Sequence, residues 1–373
     1  LNILITRSNP ISPDPRVEKI ARVLGKTGYS VLVLGWDRTA SLPEKEIIES
    51  FTIHRLQIRA EFGKGMENLP NLLKWQWGLL GWLIKYRKTY DVIHACDFDT
   101  ILPALLMKLL LRKRVIYDIF DFFADHLRAT PKMIKGLIRR VDLWAIGKVD
   151  ALILVDDARL VQIVGSKPHL ISVIYNSPED VSETLFTTGS TQVTGFRLTY
   201  IGLLQVERGL LEMIDVLRQH QDWQLDLAGF GGDQELILDS IAGMANIQWH
   251  GRVKYQRALQ LNAAADVLFA TYDPAIPNHK YSSPNKIFEA MMLGKPIIVC
   301  ADTNMDRMVE EADCGCIVPY GDIPALEKTL QSLATDAELL RRLGQNARKA
   351  YDTKYHWSIM SQKLIQLYEK VLE

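Results

Sequence analysis

The chain has 373 residues, 48% hydrophobic and 24% charged, with 44 Lys+Arg against 44 Asp+Glu. At about 100–200 residues per domain, that length predicts two domains. Disordered, collagen-like and disulfide-stapled classes are excluded by this composition and its four cysteines, and zero net charge leaves no footprint for nucleic acid.

The opening Leu1-Asn2-Ile3-Leu4-Ile5-Thr6 has no basic flank or cleavage site. Apolar runs reach only about eight residues, against roughly 18 for a spanning helix. A cytoplasmic chain is expected, at most lying on the inner face of the membrane. Residues 1–180 hold 26 basic and 20 acidic side chains, a balance of +6, which leaves 18 and 24, or −6, for the rest.

Strands are predicted at 2–6, 30–36, 51–58, 92–95, 115–119, 151–155 and 171–175, alternating with helical patterns. In the helix predicted from Pro15, apolar Val17, Ile20, Ala21 and Leu24 share one face, with Asp14 as N-cap. After a Ser/Thr/Gly-rich linker at 176–195 the rhythm resumes, with strands at 196–201, 223–228, 247–249, 267–270, 296–300 and 315–318. Two helices, 337–350 and 356–372, close the chain. Apolar strands alternating with helices predict parallel sheets. The expected fold is α/β: two doubly wound domains facing one another across a cleft, over 1–180 and 195–355.

The richest segment is Asn278–Val299, NHKYSSPNKIFEAMMLGKPIIV. Ser283 and Pro284 lead into a helix beginning at Asn285, with Lys286 in its first turn. Free N–H groups and a cation there form an anion site. Glu289, one turn on, is placed to reach a sugar hydroxyl. A capped surface helix explains the same residues without a ligand. Gly202 ends a strand before Arg208-Gly209, where a diphosphate can approach the backbone. Gly229 and Gly231 (LAGFGG) form a partial dinucleotide fingerprint, read either as a nucleotide-approach loop or as tight-turn glycines.

In the first half, His94 and Asp97 stand near a strand end, Asp14 and Arg16 at the start of the first helix, and all four are assigned to the cleft. Asp121, at another strand end, is the acid/base candidate. His94 also reads as a structural histidine. Cysteine and histidine spacings fit no zinc site, and neither a phosphate loop nor a nucleophile elbow is present. No metal or cofactor is expected. Residues 72–88 hold three tryptophans among basic residues, and 130–148 set Lys and Arg around Ile, Leu and Trp144. Peripheral contact with an anionic membrane is expected from both, the alternative being amphipathic helices packed on the sheet.

The order of these segments resembles the GT-B retaining glycosyltransferases of glycosyltransferase family 4, the group 1 enzymes. SPDPRVEKIARVL, DVIHACDFDTILPAL, YDIFDFFAD, YIGLLQVERGL, LDLAGFGG, IQWHGRV, AAADVLFATY, SPNKIFEAMMLGKPIIV and CGCIVPYGD carry the resemblance. It implies two Rossmann-like GT-B domains, with residues 356–373 packing back on the first and Asp14, Arg16, His94 and Asp97 on its acceptor side. It also implies transfer of a sugar from a UDP- or GDP-sugar to a glycan or lipid-linked acceptor in cell-surface glycan or polysaccharide synthesis. Glu289 then holds the donor ribose, and Arg208, Gly202, Asn285 and Lys286 hold the diphosphate. Gly229, Gly231, Arg252, Tyr281, Ser283 and Pro284 complete the donor set. Three positions depart from the family pattern. Tyr281 replaces the first motif Glu, Leu203 replaces an Arg whose charge Lys286 is expected to supply, and Phe120 replaces a His beside Asp121. A nucleotide-sugar 2-epimerase on the same fold and an inactive nucleotide-sugar-binding scaffold are the alternatives.

Overall fold

The computed structural model describes residues 1–60, 69–127, 130–187 and 195–373. They form two compact units, Leu1–Tyr175 with Ser361–Glu373, and Asn176–Met360. Of the expected linker, residues 188–194 lie outside the described residues.

The strands of the first unit are β1 (Asn2–Arg7), β2 (Ser30–Asp37), β3 (Lys45–Ile48), β4 (Phe51–Gln57), β5 (Val92–Cys96), β6 (Arg114–Ile119), β7 (Ala151–Leu154) and β8 (Ile171–Val173). They form one sheet in the order β3-β4-β2-β1-β5-β6-β7-β8, parallel except for β3 against β4. Periodicity gives no sign of β3. It is a four-residue edge strand, Lys-Glu-Ile-Ile, and Ile47 is 86% exposed. Such an edge leaves little apolar signal.

Central strands are buried on both faces, as parallel sheets require. The helix Pro15–Lys26 begins where expected: the Asp14 carboxylate accepts from the Val17 N–H at 3.2 Å, and Val17, Ile20, Ala21 and Leu24 are buried. Trp75, from the helix Leu69–Lys85, stacks on Trp36 at 5.2 Å in the core, so it is not a surface tryptophan. Each such large apolar side chain contributes about 1.5–3 kcal/mol when fully buried.

The second unit contains β9 (Arg197–Leu203), β10 (Gln224–Phe230), β11 (Ile247–Trp249), β12 (Val267–Ala270), β13 (Ile297–Cys300) and β14 (Gly315–Val318). All run parallel in the order β11-β10-β9-β12-β13-β14. Strand order reverses between β9 and β12, and ligands of open α/β sheets bind outside the carboxyl ends of strands at such a reversal.

Residues 176–180 belong to this unit. Arg348 binds Asp180 at 2.6 Å, the Ser182 hydroxyl at 2.9 Å and the Met292 carbonyl at 2.8 Å. The Tyr351 hydroxyl donates to the Pro178 carbonyl. The last helix, Trp357–Leu372, places Tyr368 in the first unit.

Candidate active site

The site of the second unit begins at the end of β9. After Leu203 the chain makes a one-turn 3-10 helix, Val206–Arg208, and Gly209 takes the left-handed conformation at φ +67°. A Cβ on Gly209 would lie 2.3 Å from the Thr271 hydroxyl, which itself donates to the Arg208 carbonyl. Only glycine fits that close approach. It fixes Arg208 beside the segment leaving β12, where the guanidinium lies 4.0 Å from the centre of the Tyr272 ring. Arg208 Nε is buried and has no hydrogen-bond partner among the described residues.

The helix Asn285–Leu293 enters the same region. Eight of its nine residues are buried, because it is apolar nearly all round, and Gly294 ends it in the left-handed conformation. Its N-cap is Pro284, whose side chain accepts no hydrogen bond. The first-turn N–H groups therefore keep the partial positive charge that makes a helix start an anion site. The Ser283 hydroxyl beside it is buried without a partner among the described residues, and Asn285 accepts from the Asn176 amide.

Lys286 is 8% exposed, and its ammonium nitrogen Nζ lies 3.4 Å over the Tyr200 ring and 5.5 Å from that of Tyr272. The Tyr200 hydroxyl, donated to the Leu203 carbonyl at 2.7 Å, holds that ring in place. Nζ has no hydrogen-bond partner among the described residues. Burial, reinforced by Arg208 and opposed by Glu289, pushes the Lys286 amine well below its ordinary range. A Cβ built on Gly202 would lie 3.5 Å from Nζ, so the missing side chain leaves space beside the amine.

Glu289, one turn further along, is 7% exposed; its carboxylate accepts from Asn262 at 3.1 Å and from the Tyr255 hydroxyl. Gly202, Arg208, Lys286 and Glu289 are thus gathered at the reversal of strand order. Tyr200, Tyr272, Asn262 and Tyr255, which hold them there, escaped sequence reasoning. Tyr200 and Tyr272 are buried and read as core, and only the chain's path shows which charges they face.

Other predicted donor residues are placed differently. A Cβ on Gly229 would meet the Gly202 carbonyl at 1.8 Å, and one on Gly231 the Leu204 carbonyl at 2.2 Å. Close packing of neighbouring chain segments therefore accounts for both glycines. Arg252 is exposed, with its guanidinium 4.5 Å from the centre of the Phe230 ring. Tyr281 follows the short helix Pro277–Lys280 as its C-cap. His279 in that helix is pushed down to about 4 by burial and by Arg208.

In the first unit, Asp14 accepts from Arg7 Nε at 3.1 Å and from Asn9 at 2.7 Å, besides capping its helix. Asp97 pairs with Arg7 and accepts from the Phe120 N–H at 2.8 Å. Burial, partly offset by Arg7, raises its carboxyl to about 6. The Arg7 guanidinium lies 4.1 Å from the centre of the Phe120 ring. Asp121 pairs with Arg159.

Arg16 and His94 require correction as acceptor-side groups. Arg16 donates to both Asp118 oxygens, at 3.2 and 2.9 Å, and to the Ile174 carbonyl. His94 is fully buried between the Tyr368 hydroxyl at 2.8 Å and Asp118 at 3.3 Å. Both are committed to an internal network and present nothing to a ligand. His94, Cys96 and Asp118 do bring ligand-type atoms within 4.8 Å of one another. Arg16 already satisfies that carboxylate, and burial raises the Cys96 thiol, so the donor set does not suit a cation.

Comparison with known proteins identifies the family and the fold. Residues 16–177 match the family model described as Glycosyltransferase Family 4, and residues 195–336 the model described as Glycosyl transferases group 1. A phosphatidyl-myo-inositol mannosyltransferase from Mycobacterium leprae is 26% identical over 169 residues, 45% of this chain and 42% of that protein. An alpha-D-kanosaminyltransferase from Streptomyces kanamyceticus is 20% identical over 179 residues, 46% of this chain and 45% of that protein. The matched region thus spans less than half the length of these relatives. Among solved structures, sucrose-phosphate synthase from Thermosynechococcus elongatus superposes with a TM-score of 0.81 at 17% identity, covering 100% of this chain and 99% of that one. Anabaena HepE, solved with UDP and glucose, gives 0.71 at 17% identity, covering 99% of each. The fold is GT-B.

Proposed function

Both halves of the chain belong to the glycosyltransferases, the first to family 4 and the second to group 1, and from that premise we propose retaining transfer of a sugar from a UDP- or GDP-sugar. The acceptor is a hydroxyl of a glycan or lipid-linked saccharide in cell-surface glycan or polysaccharide synthesis. The observation that carries the donor half is the meeting of Arg208 and Lys286 beside an uncapped helix start. The UDP held by HepE supports the same class of donor.

The diphosphate lies against the first-turn amides of the helix Asn285–Leu293, with Gly202 leaving room for it. Arg208 and the extended Lys286 stabilise the negative charge that grows on the leaving phosphate. Fixed donors aimed at such charge stabilise a transition state without reorganising. Glu289, oriented by Asn262 and Tyr255, accepts hydrogen bonds from the ribose. The acceptor hydroxyl attacks from the face the leaving group vacates, and a donor phosphate oxygen takes its proton. These protein cations serve without a metal.

No helix among the described residues is long and apolar enough to cross a membrane. Two helices of the first unit nevertheless expose large apolar side chains: Leu73 and Trp77 on Leu69–Lys85, and Met133, Leu137 and Trp144 on Lys132–Ile146. With lysine and arginine among them, they suit shallow contact with an anionic lipid surface at the inner face of a membrane, where a lipid-linked acceptor is found.

The test is thermal shift against UDP, GDP, ADP and their sugars, followed by NMR of the product's anomeric configuration with the donor so identified. Acceptor-dependent release of UDP or GDP with retained configuration is expected. Donor conversion without acceptor would favour the epimerase, and tight binding without turnover the scaffold.

A further inference from the structure

Lys286 occupies a position that a permanently charged lysine would find costly. Tyr200 on β9 faces Nζ at 3.4 Å, and Tyr272 after β12 at 5.5 Å. The charged groups acting on it are Arg208 and Glu289, and Glu289 gives its carboxylate to Asn262 and Tyr255. His279, held neutral, flanks Tyr272 at 5.1 Å. Nζ is buried and accepts or donates no hydrogen bond among the described residues. An amine so desolvated beside a guanidinium favours its neutral form. Arg208 has no such freedom, because a guanidinium stays charged.

We propose that Lys286 takes up a proton from solvent when the diphosphate of a nucleotide sugar enters, swinging off the Tyr200 ring past Gly202 to pair with a phosphate oxygen. This rests on the donor-site reading above. One N–H bond forms on Lys286 as the bond holding that proton breaks in the buffer acid, and no covalent bond of the nucleotide sugar changes. The four-carbon stem allows the movement, and the space left by Gly202 gives it a path. The incoming anion reverses the electrostatics around Nζ, so binding and protonation are linked. Donor affinity therefore falls as pH rises, by up to tenfold per unit where the free site is neutral and the bound site charged.

Isothermal titration of the whole chain with UDP-glucose and with GDP-mannose, at pH 8 in Tris, tricine and HEPES, measures this linkage. A diphosphate diester has no group titrating near that pH. The slope of binding heat against buffer ionisation enthalpy therefore counts protons taken up by the protein. The wild type is expected to show uptake, and an affinity that weakens from pH 7 to pH 9. Lys286→Arg should bind with zero slope and flat pH dependence, and Lys286→Met should bind more weakly with zero slope. Circular dichroism checks that both variants fold. Wild-type binding with zero slope, or a slope that persists in Lys286→Met, would overturn the inference and leave the donor site standing. If no nucleotide sugar binds the wild type, the donor-site reading falls and takes the inference with it.

Discussion

Replacing Gly202 by alanine separates a glycine needed for a ligand from one needed for the fold. Its added methyl would stand 3.5 Å from Lys286 Nζ and 3.6 Å from the Tyr200 hydroxyl, ordinary contact distances. Residue 202 lies within β9 in a conformation open to any residue. Folding stability should therefore change by less than about 1 kcal/mol, with a small gain available from the stiffer unfolded chain.

The same methyl occupies the space a phosphate oxygen needs beside Nζ. Loss of one charge-assisted hydrogen bond costs about 1.5–3 kcal/mol, or roughly 10- to 150-fold in Kd. Gly229→Ala is the contrast, since its Cβ would lie 1.8 Å from the Gly202 carbonyl at a φ of +147°. Strain and overpacking cost about 1–3 kcal/mol each, so unfolding at markedly lower temperature is expected. Thermal unfolding and nucleotide-sugar titration of both variants provide the assay. A Gly202→Ala protein that binds donor like wild type, or unfolds as early as Gly229→Ala, would refute the reasoning.

Glu289→Gln should weaken nucleotide-sugar binding by about 1.5–3 kcal/mol while leaving the helix folded, since the amide oxygen still accepts from Asn262; titration calorimetry reads the loss. Transfer activity should survive chelation by EDTA, and an activity restored only by added divalent ions would contradict catalysis by protein cations alone. Hydrogen bonds from Arg348 and Ser182 outweigh burial and lower the Asp180 carboxyl to about 2. The stability this gives is present above the ordinary carboxylate value and lost as pH falls from about 4 through about 2. The difference in melting temperature between wild type and Arg348→Gln should therefore shrink over that window. Replacing Trp77 and Trp144 together by serine should reduce sedimentation with anionic liposomes at low salt and leave neutral-liposome binding unchanged.

Much of the fold is legible because parallel strands are apolar throughout and the helices between them carry a clear stripe. Residues 247–249, 267–270 and 315–318 form strands with the predicted limits. The edge strand β3 is not legible, being too short and half polar to show a period. In the site, Pro284, Lys286 and Glu289 announce a helix start with a cation and a carboxylate one turn apart. Their local spacing says nothing of Tyr200 or Tyr272, which come from other strands. Arg16 and His94 illustrate the opposite error. A polar residue at a helix start or a strand end suits a ligand or a buried network equally well, and Asp118, Tyr368 and Ile174 decide for the network. The tryptophans of 72–88 divide for a similar reason, Trp75 turning into the core and Trp77 outward according to helical phase.

The most direct test of the central claim is nucleotide-sugar binding by the Arg208→Gln, Lys286→Gln double variant, measured by titration beside the wild type. Saturable one-to-one binding by the wild type, weakened at least about 100-fold in a folded double variant, is the expected result, since each charge-assisted hydrogen bond to the diphosphate is worth about 1.5–3 kcal/mol. Equal affinity in the two proteins would place the donor elsewhere and contradict the account.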